Sequence, residues 1–209
     1  MRNIQKNGEP LSLTSHRQQA HADFDNYPDK DALRQCLVAE QHGLCCYCQS
    51  RIRPNSASMK IEHWQCQANY PARQLDYRNL LGACLGGHGR PAHEQHCDTL
   101  KGNTDLCFCP ADPAHNIEQR IRFLGDGRIQ SPDANFDRQL NDVLNLNWDR
   151  LVTNRKAVLV AFQQRLQTGK KFDPAKELPK WDGSQGRELP EYSQVVVYYL
   201  RKKLGQIAA

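Results

Sequence analysis

The sequence has few apolar residues and no long runs of them. Only 39% of its 209 residues are hydrophobic, and the mean hydropathy is −0.76. No stretch approaches the ~20 apolar residues that a membrane-spanning helix needs, so no membrane association is expected. Met1 to Gly8 lack the apolar segment of a secretory signal, which makes the cytoplasm the expected location. Internal repeats and low-complexity tracts are absent, and so is a Walker A signature; any ATP dependence would come from another chain. So little apolar material implies a modest core reinforced by something else.

Cysteine is what the chain has instead, with nine residues. In a reducing compartment these read as metal ligands, catalytic groups or core thiols before disulfides. The formal net charge of +5 leans weakly toward an acidic partner such as nucleic acid.

Periodicity divides the chain into an irregular polar segment (1–29), a cysteine- and histidine-rich domain (30–135) and a helical C-terminal region (136–209). The first segment is expected to lie across the surface. A helix is expected from Asp29 or Lys30 to Gly43, with Leu33, Leu37 and Val38 on one face. Residues 121–129 suggest a hairpin turning on Asp126-Gly127. Helical spacing returns at Asn135, with Leu140, Val143 and Leu144. It continues from Asp149 through Leu151, Val158, Phe162 and Leu166 to a stop at Gly169. Residues 169–190 read as a linker, and Glu191 to Leu204 as a last helix.

Cys45 and Cys48 form a Cys-x-x-Cys, the spacing that lets two thiolates reach one tetrahedral zinc from a tight turn. A thioredoxin-like redox pair is the rival, but its βαβ context is missing. Cys84 and Cys97 are the best placed to complete a four-cysteine zinc site. Cys36, Cys46, Cys66, Cys107 and Cys109 read as core or partly exposed thiols.

Between the cysteine pairs lies Lys60-Ile61-Glu62-His63-Trp64. A neutral imidazole can take a proton from water, and a carboxylate is a hard ligand for Mg²⁺. Asn79 could accept from the imidazole N–H and orient the ring, or could merely cap a helix. Asp98, fixed by its neighbour Cys97, supplies a second carboxylate. His88 is the rival to Asp98 as the last ligand.

The order Cys-x-x-Cys, Glu62-His63, Asn79, Cys84 and Cys97-Asp98 with Lys101-Gly102 resembles an HNH endonuclease, the ββα-metal finger. Lys6 with Glu9-Pro10, Glu40 to Cys48, Asn79 to Cys84 and His96 to Asn103 narrow the resemblance to the retron-associated HNH family, which includes the Septu PtuB-like nucleases. It covers roughly residues 1 to 168. Twelve residues separate Cys84 from Cys97, where many such enzymes have two. The implied fold is α+β, a zinc-stabilised ββα-metal finger embedded in a mainly helical domain.

The implied activity is phosphodiester hydrolysis, on DNA or on an RNA such as tRNA. His63 would be the base, Glu62 and Asp98 would hold catalytic Mg²⁺ or Mn²⁺, and the zinc would be structural. Implied partners are an ABC-type (PtuA-like) ATPase and, in retron versions, a reverse transcriptase with its multicopy DNA. Part of residues 136–209 is expected to dock on the ATPase, against the alternative that these helices complete the core. A non-catalytic zinc-knuckle adaptor, binding nucleic acid or a protein, is the rival function.

Overall fold

The computed structural model describes residues 1–167 and 172–207. It is a mixed α/β structure with two small antiparallel sheets of two strands each. The N-terminal segment departs from expectation. Leu11–Arg17 forms a helix, α1, and Met1, Ile4 and Leu13 are buried instead of lying on the surface. A buried polar cluster explains why. The Lys6 ammonium pairs with Glu40, donates to the Leu80 carbonyl at 2.8 Å and sits 3.8 Å from the centre of the Tyr77 ring. Tyr77 also donates to Glu40 at 2.8 Å. Long-range polar partners of this kind leave no periodic signal in a sequence.

The Asp29 side chain caps helix α2, Lys30–Glu40, by accepting from the Ala32 N–H. The helix stops short of Gly43, whose N–H closes onto the Val38 carbonyl at 2.9 Å. Leu33 and Leu37 then pack with Leu13, Tyr27 and Leu80. Strand β1, Met59–His63, pairs with β2, Leu80–Cys84, so that Met59 faces Cys84 and His63 faces Leu80. A one-turn helix, α3, follows at Asp98–Lys101.

The hairpin is present, but it turns on more than two residues. Strands β3, Arg122–Phe123, and β4, Ile129–Gln130, pair with Phe123 opposite Ile129, and the Leu124 N–H reaches the Arg128 carbonyl at 2.9 Å. Gly125-Asp126-Gly127 therefore forms a three-residue turn, with Gly127 at φ +93°. A short helix, α4, Ala134–Arg138, runs into a π-turn at Gln139–Val143.

Helix α5, Asp149–Gln167, matches the expected start; its expected stop at Gly169 lies outside the described residues. The part of the expected linker that is described is ordered: it holds helix α6, Pro174–Glu177, and Trp181, whose ring packs 5.4 Å from that of Phe162. The last helix, α7, Ser193–Lys203, buries Val195, Val196, Val197 and Leu200. Val195, Val196 and Leu200 pack with Leu159 and Phe162 of α5. These aliphatic residues thus complete the core, the alternative held open for the C-terminal helices. Among the described residues no helix is long and apolar enough to cross a membrane.

Gly127 provides a direct test of this packing. A Cβ there would lie 2.3 Å from the Val152 carbonyl oxygen of α5, on a backbone that L-residues avoid. Gly127→Ala is expected to destabilise the protein by more than ~2 kcal/mol in urea unfolding, combining strain and clash. Gly125→Ala, with nothing within 4 Å of its Cβ position, should cost well under that.

Candidate metal centre and carboxyl–histidine site

Four cysteine thiols meet in the interior. Cys45 and Cys48 come from the turn after α2, where the Cys45 N–H bonds the Ser50 carbonyl at 2.9 Å. Cys84 ends β2. Cys97 precedes α3 at φ +56° and is tied by its N–H to the Leu144 carbonyl at 2.9 Å. All four Sγ atoms lie within 4.8 Å of one another and are buried. Cys48 and Cys84 are 3.6 Å apart, Cys45 and Cys97 3.9 Å. Thiolates bound ~2.3 Å from one tetrahedral zinc would stand roughly 3.8 Å apart, so this cluster fits that ion.

The surroundings suit sulfur that carries negative charge. Ser50 approaches Cys48 with its hydroxyl at 3.1 Å and its N–H at 3.4 Å, and His96 Nδ1 lies 3.1 Å from Cys97 Sγ. Burial opposes ionisation at Cys45, but donation from the neighbouring thiols carries its pKa well below the usual value. Cys48 is opposed by Cys45 and helped by Cys84 and Cys97, and is held down at about 6. Burial pushes Cys46 well up, and its thiol is outside the cluster.

The second group sits where β1 ends. His63 is buried, its Nε2 lies 2.9 Å from the Gln74 carbonyl, and its ring meets Phe24 edge-on at 4.5 Å. The carbonyl requires Nε2 to carry the proton, which leaves Nδ1 with a lone pair. Burial lowers the His63 pKa, although Gln74 and Asp98 oppose the shift. Asn79 was expected to orient the ring, and that role falls to the Gln74 carbonyl. The Asn79 amide is committed to the loop: its oxygen accepts from the Gln65 N–H at 2.8 Å, and its nitrogen donates to the Gln65 and Arg73 carbonyls at 3.0 and 3.1 Å.

Glu62 is 2% exposed and Asp98 lies within hydrogen-bonding reach of it. Burial, then the neighbouring Asp98 carboxylate, pushes the Glu62 pKa well above the usual carboxylate range, against the pull of Lys101. Two lysines balance the pair. Lys101, buried, reaches Glu62 at 2.9 Å, and Lys60 reaches Asp98 at 3.3 Å. Tyr47 donates to Glu62 at 2.7 Å. His88 is exposed in the loop after β2, and among the described residues no hydrogen bond or ion pair joins it to Glu62 or Asp98.

Sequence reasoning missed Tyr47, Phe24 and Gln74 as parts of this group, and took Lys101 only as a motif letter. Tyr47 and Lys101 sat inside quoted motifs and could have been suspected. Gln74 acts through its backbone, which carries no residue signature.

A buried four-cysteine cluster that could hold a metal ion thus shares this part of the fold with a histidine and two carboxyls, on a two-stranded ribbon and a short helix. No family model matches the chain. It is similar to an Escherichia coli protein named as the HNH endonuclease of retron Ec83, with 24% identity over 208 residues, covering 78% of this chain and 80% of that protein. It is also similar to the Septu protein PtuB of Bacillus thuringiensis, with 25% identity over 131 residues, covering 62% of this chain and 47% of that protein. The two similarities support an HNH-type family of defence nucleases.

Elemental analysis of the purified chain is expected to find about one zinc per molecule, as a four-thiolate site requires. Cys97→Ala should lose that zinc and much of its solubility, because binding and folding are coupled. Cys46→Ala should retain it. Full zinc retention by the Cys97 variant would remove that residue from the site.

Proposed function

We propose that the chain is a metal-dependent HNH endonuclease that hydrolyses phosphodiester bonds as the effector of a bacterial anti-phage defence system. The observation that carries this reading is His63: a buried imidazole kept neutral, with Nε2 fixed by the Gln74 carbonyl, beside the Glu62–Asp98 pair. The succession β1, β2, α3 supports a ββα-metal finger, with His63 and Glu62 ending the first strand and Asp98 opening the helix.

In this mechanism Nδ1 of His63 takes a proton from water, and the oxygen attacks phosphorus in line. The bond to the 3′ oxygen breaks, and solvent protonates that oxygen as it leaves. Glu62 and Asp98 would hold Mg²⁺ or Mn²⁺, which when bound supplies positive charge at the phosphate and the leaving oxygen. The donor set suits a hard cation: two carboxyls lie close enough together for one to raise the pKa of the other, and their oxygens are hard ligands. Asp98, with 19% of its side chain exposed, gives the open side of the pair. Lys60 and Lys101 orient the carboxylates and keep the pair near neutral before a cation arrives. Cys45, Cys48, Cys84 and Cys97 would hold zinc as a structural element, and Asn79 acts by clamping the loop that presents Gln74.

DNA of phage or cell is the proposed substrate, with RNA such as tRNA the other class. The proposed setting is the cytoplasm. An ABC-type ATPase of the PtuA kind is the proposed partner, joined in retron versions by a reverse transcriptase and its multicopy DNA. A zinc-knuckle adaptor would have no use for a neutral histidine held against a carboxyl pair.

His63→Ala, assayed on plasmid DNA with Mg²⁺ and any required partner present, is expected to keep its zinc and lose ~10²–10⁴ in rate. Cleavage at the parental rate would sink the assignment. Because the neutral imidazole is the active form and its pKa is lowered from 6.5, the rate at saturating Mg²⁺ should fall only as pH drops below that value. A limb above it would point to another base.

A further inference from the structure

The cleft between α7 and the β3–β4 hairpin is separate from both groups of site residues. It encloses about 580 Å³, within the usual range for ligand sites. Leu159 and Val195 are buried beneath it, while Tyr198 and Tyr199 are half-buried along its wall. Arg122, Lys202 and Lys203 line it and are exposed, and no acidic residue contributes. Among the described residues none of these three cations has an ion-pair partner within 4 Å, although the Lys203 ammonium lies 5.7 Å from the Tyr199 ring centre.

A larger cavity, about 810 Å³, differs in charge: Glu9 and Asp76 stand among its cations. The smaller cleft combines unpaired positive charge with aromatic faces, the combination that holds phosphates while bases stack. An acidic peptide would satisfy the cations and make no use of the half-buried Tyr198 and Tyr199 rings, whose centres lie 5.7 Å from that of Phe123 and 6.0 Å from that of Phe162, respectively. A duplex would keep its bases paired and out of reach of the tyrosines.

We propose that this cleft binds single-stranded nucleic acid, stacking bases on Tyr198 and Tyr199 and gripping phosphates through Arg122, Lys202 and Lys203. This deepens the nuclease reading and rests on it for biological sense: the cleft would hold a stretch of substrate strand away from the scissile bond. The aromatic-basic end of the last helix thereby divides its residues, with the aliphatic ones turned into the core and Tyr198, Tyr199, Lys202 and Lys203 lining the cleft.

The test uses the full chain carrying His63→Ala, so that substrate survives, with a labelled single-stranded oligonucleotide of mixed sequence as the probe and heparin as a polyanion without bases. Replacing Arg122, Lys202 and Lys203 together by Glu should weaken oligonucleotide binding by at least ~10-fold and reduce the salt slope by about two. Tyr198→Leu should weaken oligonucleotide binding by about tenfold and leave heparin binding unchanged. Zinc content, equal in all variants, checks the fold. Oligonucleotide affinity unchanged in either variant would overturn the proposal, and so would equal losses for oligonucleotide and heparin in Tyr198→Leu. Cleavage by the parental chain is measured apart. Its absence, with cleft-dependent binding intact, would count against the nuclease reading alone.

Discussion

The convergence of Cys45, Cys48, Cys84 and Cys97 is the constraint on which the rest of the structure depends. These thiols come from the turn after α2, the end of β2 and the residue before α3; that turn also carries Tyr47, α3 carries Asp98 and Lys101, and β2 pairs with the strand that ends in Glu62 and His63. Four thiolates around one zinc would form a net dianion, and a buried dianion needs compensation. A buried positive charge comes from far along the chain. Arg155 of α5 is buried, donates to the Gly127 and Leu146 carbonyls at 2.7 Å each, and is held down to about 10 by burial against the pull of Cys48 and Cys97. The Cys48 and Cys97 thiols and Arg155 of α5 thereby influence one another electrostatically.

That arrangement accounts for a polar chain with an ordered interior. Residues 44–103 have little helical or strand periodicity, yet Cys45, Tyr47, Ile52, Met59, Leu81 and Cys97 belong to one core cluster that also takes in Ile121, Phe136 and Leu140. Buried ion pairs contribute elsewhere: Lys6 with Glu40, and Lys101 with Glu62. Such pairs are costly to bury and specific in geometry, so they favour one arrangement more than they add stability. The Lys101–Glu62 pair places an ammonium beside the carboxyl pair, where it would compete with a divalent cation for the same negative charge.

Local signals carried part of the fold. The α2 stripe with its Asp29 cap, the start of α5 and the existence of a hairpin were legible because each depends on residues close in sequence. The hairpin turn was misjudged, since Asp126-Gly127 suits a two-residue loop in isolation. In the fold the turn takes in Gly125 as well, and the Gly127 carbonyl accepts from Arg155 of α5. The N-terminal segment and residues 172–190 were read as surface and linker because their anchors are distant: Pro110 for Ile4, Phe162 for Trp181, Arg53 for Glu188.

By itself the sequence determined the chemistry on offer: nine cysteines with one Cys-x-x-Cys, an acid–histidine pair, an aspartate after a cysteine, and too little apolar material for a large core. Ligand-type residues at characteristic spacings are local information, so these could be read directly. Tertiary structure alone decided which groups meet. It set the Gln74 carbonyl, and not the Asn79 amide, against His63, balanced Glu62 with Lys101 and Tyr47, left His88 exposed, and turned Val195, Val196 and Val197 inward. Each of those outcomes depends on where a distant backbone or buried charge comes to lie, and no periodicity or spacing along a chain encodes that.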